Sequence, residues 1–195
     1  MTLVVGLGGE CHWCTEGIFQ SLLGVTAVNQ GWIKPRLSVE PSSQFREANS
    51  NFKILESDKA DSTQPSFSEA IEVYFNPKII SLTTLIEIHL YTHASTANHS
   101  LRNRYRSAVY TYDEYQQQQA THILESLATR FDQPLVTRVL QFNEFKLNKN
   151  EYLNYFYQSP DKPFCQSYIH PKLRLLLTRF NDSVDTDKLQ AAGIE

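Results

Sequence analysis

Two cysteines three positions apart, Cys11 and Cys14, flank His12 and Trp13 in the run Gly9-Glu10-Cys11-His12-Trp13-Cys14, just before apolar residues at helical spacing (Ile18, Phe19, Leu22, Leu23). A thiol in the first turn of a helix faces unpaired backbone N–H groups and the positive end of the helix dipole, both of which favour the nucleophilic thiolate. Cys11 occupies that position. Cys14, one turn further on, can attack an oxidised Cys11 and close a disulfide. Three other readings compete. Both sulfurs can pack as small buried hydrophobes. Cys11, His12 and Cys14 with Cys165 or another histidine can ligate zinc, although structural zinc usually takes two close ligand pairs and the chain has a single CxxC. A thioredoxin-like redox motif needs a strand, a helix and a partner cis-proline that the sequence does not identify.

Such a thiol has to be delivered by a strand and a tight turn. Residues 3–6 (Leu-Val-Val-Gly) suit a buried strand, and Gly6, Gly8 and Gly9 supply the turn into the helix. The alternation in 24–33 predicts a second strand, whereas 34–68 is rich in Pro, Ser, Asn, Gln and Lys without periodicity and reads as a long functional or mobile loop. Residues 69–77 alternate as a strand closed by Asn76-Pro77. Ser81 caps a helix bearing Leu85, Ile86, Ile88 and Leu90. Residues 106–112 form another strand, and Asp113 with Gln116 forms a capping box for a helix presenting Ala120, Ile123, Leu124, Leu127 and Phe131. A strand over 135–142, an aromatic run over 151–158, a short helix over 172–180 and a fraying polar end complete the chain. Strands followed by helices, with antiparallel-type neighbours, predict an α+β fold: a two-layer ferredoxin-like plait whose mostly antiparallel sheet is covered by helices. The whole chain, 1–195, reads as one domain whose last stretch, about 150–195, is a tail carrying Cys165.

Composition narrows the chemistry. The chain is 41% hydrophobic and 12% aromatic, which is ordinary for a packed domain, and its formal charge is -3 with Lys and Arg scattered singly. That pattern offers neither a phosphate-binding stripe nor a polybasic membrane patch, so nucleic acid and membranes are not expected partners. No run approaches the roughly 18 apolar residues of a bilayer span. The opening MTLVVGLGG lacks the positive region of a signal peptide, and three cysteines are too few for a disulfide framework. A reduced, cytoplasmic setting is expected.

Four ordered segments carry a family resemblance. Glu10-Cys11-His12-Trp13 resembles the GCFW signature of the A-type peptide methionine sulfoxide reductases. Residues 68–88 look like that family's glutamate-bearing strand and following helix, Tyr105-Arg106-Ser107-Ala108-Val109-Tyr110 is similar to its tyrosine strand, and residues 163–173 resemble its C-terminal cysteine segment. The resemblance implies reduction of methionine sulfoxide, of the S epimer, by a monomer without bound cofactor or metal, recycled by thioredoxin or another dithiol. It implies that Cys11 attacks the sulfoxide sulfur and becomes a sulfenic acid, that Glu69 is a buried carboxyl kept protonated near neutrality so as to donate to the departing oxygen, and that Tyr105 holds that oxygen. Trp13 is the implied apolar wall for the substrate methyl. Cys165 is the implied resolving thiol, with Cys14 as competitor.

The chain also departs from the family. His12 stands where the signature has phenylalanine, Phe45 is the candidate for the place of a further tyrosine, and Ser100 for that of an aspartate. The family's HDP reads His93-Ala94-Ser95, and its GH before the glutamate reads Ser66-Phe67. A phenol and a carboxylate are thereby removed, and one lost oriented donor typically costs about 100 to 1000-fold in rate. His12, His99 and Ser100 are the expected replacements, His99 or Ser100 through an ordered water near Glu69. The alternative functions are a weakened relative that binds methionine-bearing peptides without turnover, and a reductase of another small sulfoxide.

Overall fold

The computed structural model describes residues 1–36 and 65–195, and Phe45 lies outside them together with most of the 34–68 segment. Among the described residues five strands and six α-helices follow one another as β1 (Leu3–Gly8), α1 (His12–Phe19), β2 (Val25–Pro35), β3 (Ser68–Phe75), α2 (Leu82–Thr92), β4 (Ala108–Thr111), α3 (Glu114–Ala128), β5 (Arg138–Leu147), α4 (Tyr155–Gln158), α5 (His170–Arg179) and α6 (Thr186–Ala191). A π-helical turn over Cys165–Ile169 leads into α5.

The open plait expected from the sequence is overturned, because the strands close into a barrel in the order β1-β3-β2-β5-β4. β1 is paired along both edges, with β3 from Leu3↔Phe75 to Gly8↔Ala70 and with β4 from Gly6↔Tyr110 to Gly8↔Ala108. β4 and β5 run parallel across the α3 connection, and the remaining pairs are antiparallel. Closure abolishes sheet edges. It also needs small residues where the wall curls tightly around few interior side chains. Gly6 is one of these: a Cβ there would lie 2.8 Å from Ile33 Cδ1 and 2.9 Å from Tyr110 Cβ. Gly6 and Gly8 are therefore strand residues, and the turn into α1 is made by Gly9 and Glu10 alone. Ile33, Ala70, Ala108 and Tyr110 fill the interior.

The larger core lies outside the barrel wall, where Val5, Leu7, Ile71 and Val73 meet Ile18, Phe19, Leu85, Ile88 and the C-terminal Leu173 and Leu176. β3 is buried on both faces, which its alternating sequence did not suggest. On the inward face Glu72 accepts from Tyr112 Oη at 2.6 Å, Asn29 Nδ2 at 3.1 Å and Tyr74 Oη at 3.3 Å. The caps form as read: Ser81 Oγ accepts from Thr84 N at 3.0 Å, and Asp113 Oδ1 from Gln116 N at 2.7 Å. The polar end is anchored by Leu189 and Ile194, both buried in the outer core. Among the described residues no helix is long and apolar enough to cross a membrane.

Candidate functional site

Strand register brings the chemistry to one end of the barrel. Gly8 at the end of β1 pairs with Ala70 and Ala108, so the turn that follows β1 lies beside the first residues of β3 and the approach to β4. Cys11 is the N-cap of α1, with φ -53° and ψ 125°, and its side chain makes no capping hydrogen bond. The turn before it is tightly held. A Cβ on Gly9 would collide with the His93 ring, and Arg102 Nη1 donates to Gly9 O at 2.9 Å and to Tyr105 O at 3.1 Å. Ser68 donates to Arg104 O and accepts from Arg106 N, each at 2.8 Å, which fixes the 104–106 turn against β3.

Cys14 lies one turn along α1 from Cys11. Its thiol and then the His12 side chain hold the Cys11 thiol down to about 4 against the opposing effect of burial. Cys14 shifts the other way, because the Cys11 sulfur beside it and its own burial both favour the neutral thiol. Cys165 is fully buried, donates to Ser159 O at 3.4 Å and is pushed up by burial. All three cysteines are free thiols.

Glu69 is 1% exposed and sits beside the nucleophile. Its Oε1 accepts from Arg104 Nε at 2.6 Å, and its Oε2 accepts from the His12 backbone N–H at 3.3 Å with His12 Nδ1 at 3.2 Å. The Nδ1 contact is off the line of a well-formed hydrogen bond, as often holds in sites without substrate. One sulfur of Cys11, one ring nitrogen of His12 and one carboxylate oxygen of Glu69 lie within 4.8 Å of one another. Among the described residues this is the set that could meet a metal ion, but the Arg104 guanidinium already supplies the positive charge at the carboxylate.

A cleft of about 440 Å³ opens over the thiols, lined by Cys11, Cys14, His99, Tyr105, Phe164 and Lys172 among others. Tyr105 is half-buried, under the Arg104 guanidinium at 5.3 Å, and its phenol is raised by burial and then by the charge on Glu69. Glu10 is raised to about 7 by burial, opposed by its ion pair with Lys172. His99 lines the cleft but is exposed, its Nδ1 accepting from Leu101 N at 3.3 Å, and Ser100 is exposed and outside the cleft. The places about Glu69 are taken by Arg104 and His12 instead. Trp13 is stacked face to face on Tyr155, 4.1 Å between ring centroids, and meets Phe164 edge-on at 5.7 Å. The aromatic residues that line the cleft are Tyr105, Phe164 and Tyr168, and Trp13 meets Phe164 from outside that lining.

The structure thus brings Cys11, His12, Cys14, Glu69 and Tyr105 together, and it adds Arg104, Glu10, Lys172, Tyr155 and Phe164, which the sequence reading missed. Arg104 and Phe164 adjoin Tyr105 and Cys165, so chain proximity was the available signal. Glu10 precedes the nucleophile and Lys172 is one of three Lys and Arg residues of α5, but their pairing spans 162 positions.

A depressed thiol with a second thiol one turn away suits oxidation and reduction at sulfur, the chemistry of the thiol-dependent oxidoreductases. A family profile described as "Peptide methionine sulfoxide reductase" matches residues 4–184, and the chain belongs to that family. Its relatives include the peptide methionine sulfoxide reductase MsrA of Trichodesmium erythraeum, 30% identical over 184 residues that span 91% of this chain and 96% of the relative. The fold is similar to that of reduced Mxr1 from Saccharomyces cerevisiae, with TM-score 0.62 at 18% identity over 86% of this chain and 91% of that one. It is also similar to Mxr1 in complex with Trx2, with TM-score 0.53 at 16% identity over 79% and 84%.

Proposed function

We propose that the protein reduces the S-sulfoxide of methionine in peptides, with Cys11 as nucleophile. The observation that carries this is the convergence of the depressed Cys11 thiol and the buried Glu69 carboxyl on an apolar cleft. The Cys11 thiolate bonds to the sulfoxide sulfur while the oxygen, held by Tyr105, takes a proton from Glu69. Oxygen then ends on Cys11 as a sulfenic acid and the thioether leaves, so two electrons pass from the cysteine sulfur to the substrate sulfur. Phe164, backed by Trp13, receives the methyl group.

Cys14 is the resolving thiol that the contact with Cys11 supports: its sulfur displaces the sulfenic oxygen as water and forms the Cys11–Cys14 disulfide. Cys165, on the aromatic segment packed over α1, takes that disulfide on toward the reductant. Thioredoxin is the reductant we assign, on the family membership and the Mxr1–Trx2 complex. The same reading takes the chain as a single reductase domain working as a monomer in the cytoplasm without bound cofactor; the small number of cysteines and the scattered charges of the sequence support the reducing compartment.

Incubating the reduced protein with methionine S-sulfoxide is expected to consume two thiols per protein, and mass mapping is expected to find Cys11 linked first to Cys14 in Cys165→Ser. Unchanged thiol content would remove the reductase reading and leave a peptide-binding role. A single stable Cys11–Cys165 linkage with Cys14 still free would remove the assigned role of Cys14.

A further inference from the structure

His12 is 6% exposed and is one of the residues by which this chain departs from its family's signature, and it sits at the end of a buried polar chain that returns to α1 one turn further on, at Glu16. Glu16, 1% exposed, accepts from Asn154 N at 2.8 Å and Tyr155 N at 3.2 Å through its two oxygens, and from Gln30 Nε2 at 2.7 Å. Gln30 Nε2 also donates to the Tyr152 carbonyl at 3.0 Å. With acceptors on that side the Gln30 amide has one orientation, so its Oε1 must receive a donor, which is Asn148 Nδ2 at 2.8 Å. Asn148 is fixed the same way round by Lys149 N, which donates to Asn148 Oδ1 at 3.1 Å. The remaining N–H of the Asn148 amide points at His12 Nε2, 3.0 Å away. A nitrogen facing an N–H donor must be an acceptor, so the ring proton of neutral His12 resides on Nδ1, the atom 3.2 Å from Glu69 Oε2.

We propose that Asn148, oriented by Gln30 and Glu16, is a positioning residue for the acid: it holds His12 as the neutral Nδ1–H tautomer, which places a donor nitrogen 3.2 Å from Glu69 Oε2 beside Cys11. This rests on the proposed reduction at the same site. The consequence is a division of labour in proton handling. The groups facing His12 are Cys11, Glu69 and, through Trp32 whose edge meets the ring, Arg104; Glu16 acts from behind Gln30. A second proton on the imidazole would set N–H against N–H at Asn148 and cost the whole chain of bonds back to Glu16. The ring nitrogen nearest Glu69 is therefore a donor, next to the carboxyl that serves the departing oxygen in the proposed reaction.

Long-range 1H–15N spectra of the reduced, full-length protein, with His12 assigned through His12→Phe, read the tautomer directly. The expected result is a protonated Nδ1 with an acceptor-type Nε2. In Asn148→Asp a carboxylate replaces the donor, so the proton should move to Nε2 or the ring become doubly protonated. The acid limb of the pH profile for sulfoxide-dependent thiol loss, and that of Cys11 alkylation, should then shift by about one pH unit or more. A wild-type ring protonated on Nε2 overturns the proposal, as does a switched tautomer in Asn148→Asp with both pH profiles unmoved. Should Asn148→Asp fail to fold, Asn148→Ala, which removes the donor without putting an acceptor in its place, is expected to give a mixture of tautomers, and a single unchanged Nδ1–H form overturns the proposal. If the wild type shows no sulfoxide-dependent thiol loss, the proposed function falls, while the spectra and the alkylation profile still decide the tautomer and the role of Asn148.

Discussion

Glu69 and Glu72 stand three positions apart on the same strand, both nearly inaccessible, yet they serve different ends. An odd separation sends them to opposite faces of β3. Glu72, facing inward, is satisfied by two phenols and an amide, neutral donors that complete its hydrogen bonding and join β2, β3 and the end of β4. Glu69, facing outward, is met by a guanidinium, an imidazole and a backbone N–H, and a depressed thiol lies beside it at an open cleft. Burial of a carboxylate by itself is thus no mark of function. What separates the two is a partner that can give or take a proton and a place for a substrate oxygen to arrive.

The sharpest way to break this contrast is Cys11→Ser, which should abolish sulfoxide-dependent thiol loss, a fall of more than about 1000-fold, while thermal melting stays close to wild type. Next comes the strand pair itself. Glu69→Gln should slow the single-turnover sulfoxide step about 100 to 1000-fold, whereas Glu72→Gln should lower stability by about 1–3 kcal/mol and leave that step nearly unchanged. Equal losses of rate in the two variants would erase the distinction. A third measurement is the pH dependence of Cys11 alkylation. Because its folded value is depressed to about 4, the thiolate persists as pH falls until about 4, while the stability gained from it is complete above the ordinary thiol range, declines steadily as pH falls below that range and is gone once pH passes through about 4. Reactivity should be nearly level from pH 8 to 6 on that account, and an inflection near the ordinary thiol value would contradict it. The smallest effect is expected for Arg104→Gln. Its exposed side chain leaves stability almost untouched, but loss of its charge at Glu69 should lower the rate of the sulfoxide step about tenfold with little change in KM.

Much of this was legible because it is local. The start of α1 at Cys11, the Ser81 and Asp113 caps and the strand over Ser68–Phe75 are set by residues within four positions of each other. The closure of the barrel was not, since it depends on Gly6 meeting Tyr110 across the chain, and a glycine in a strand reads equally well as a turn. The same holds inside the site. Cys11, Cys14, Glu69 and Tyr105 were marked by type and family pattern, but Arg104 looked like one surface cation among several. Asn148 gave no signal at all, its partner His12 being 136 positions away. Trp13 was legible as an aromatic surface. That Tyr155 would cover its face was not, because stacking between distant rings leaves no periodicity in sequence.

Glu16 accepts the backbone N–H groups of Asn154 and Tyr155 from within the helix that begins at Cys11. Those two amide protons are therefore reporters. If oxidation of Cys11 shifts α1, their exchange with solvent should quicken before any change in the barrel strands, and an exchange measurement at Asn154 and Tyr155 would follow the redox state of a sulfur more than 140 residues earlier in the chain without touching it.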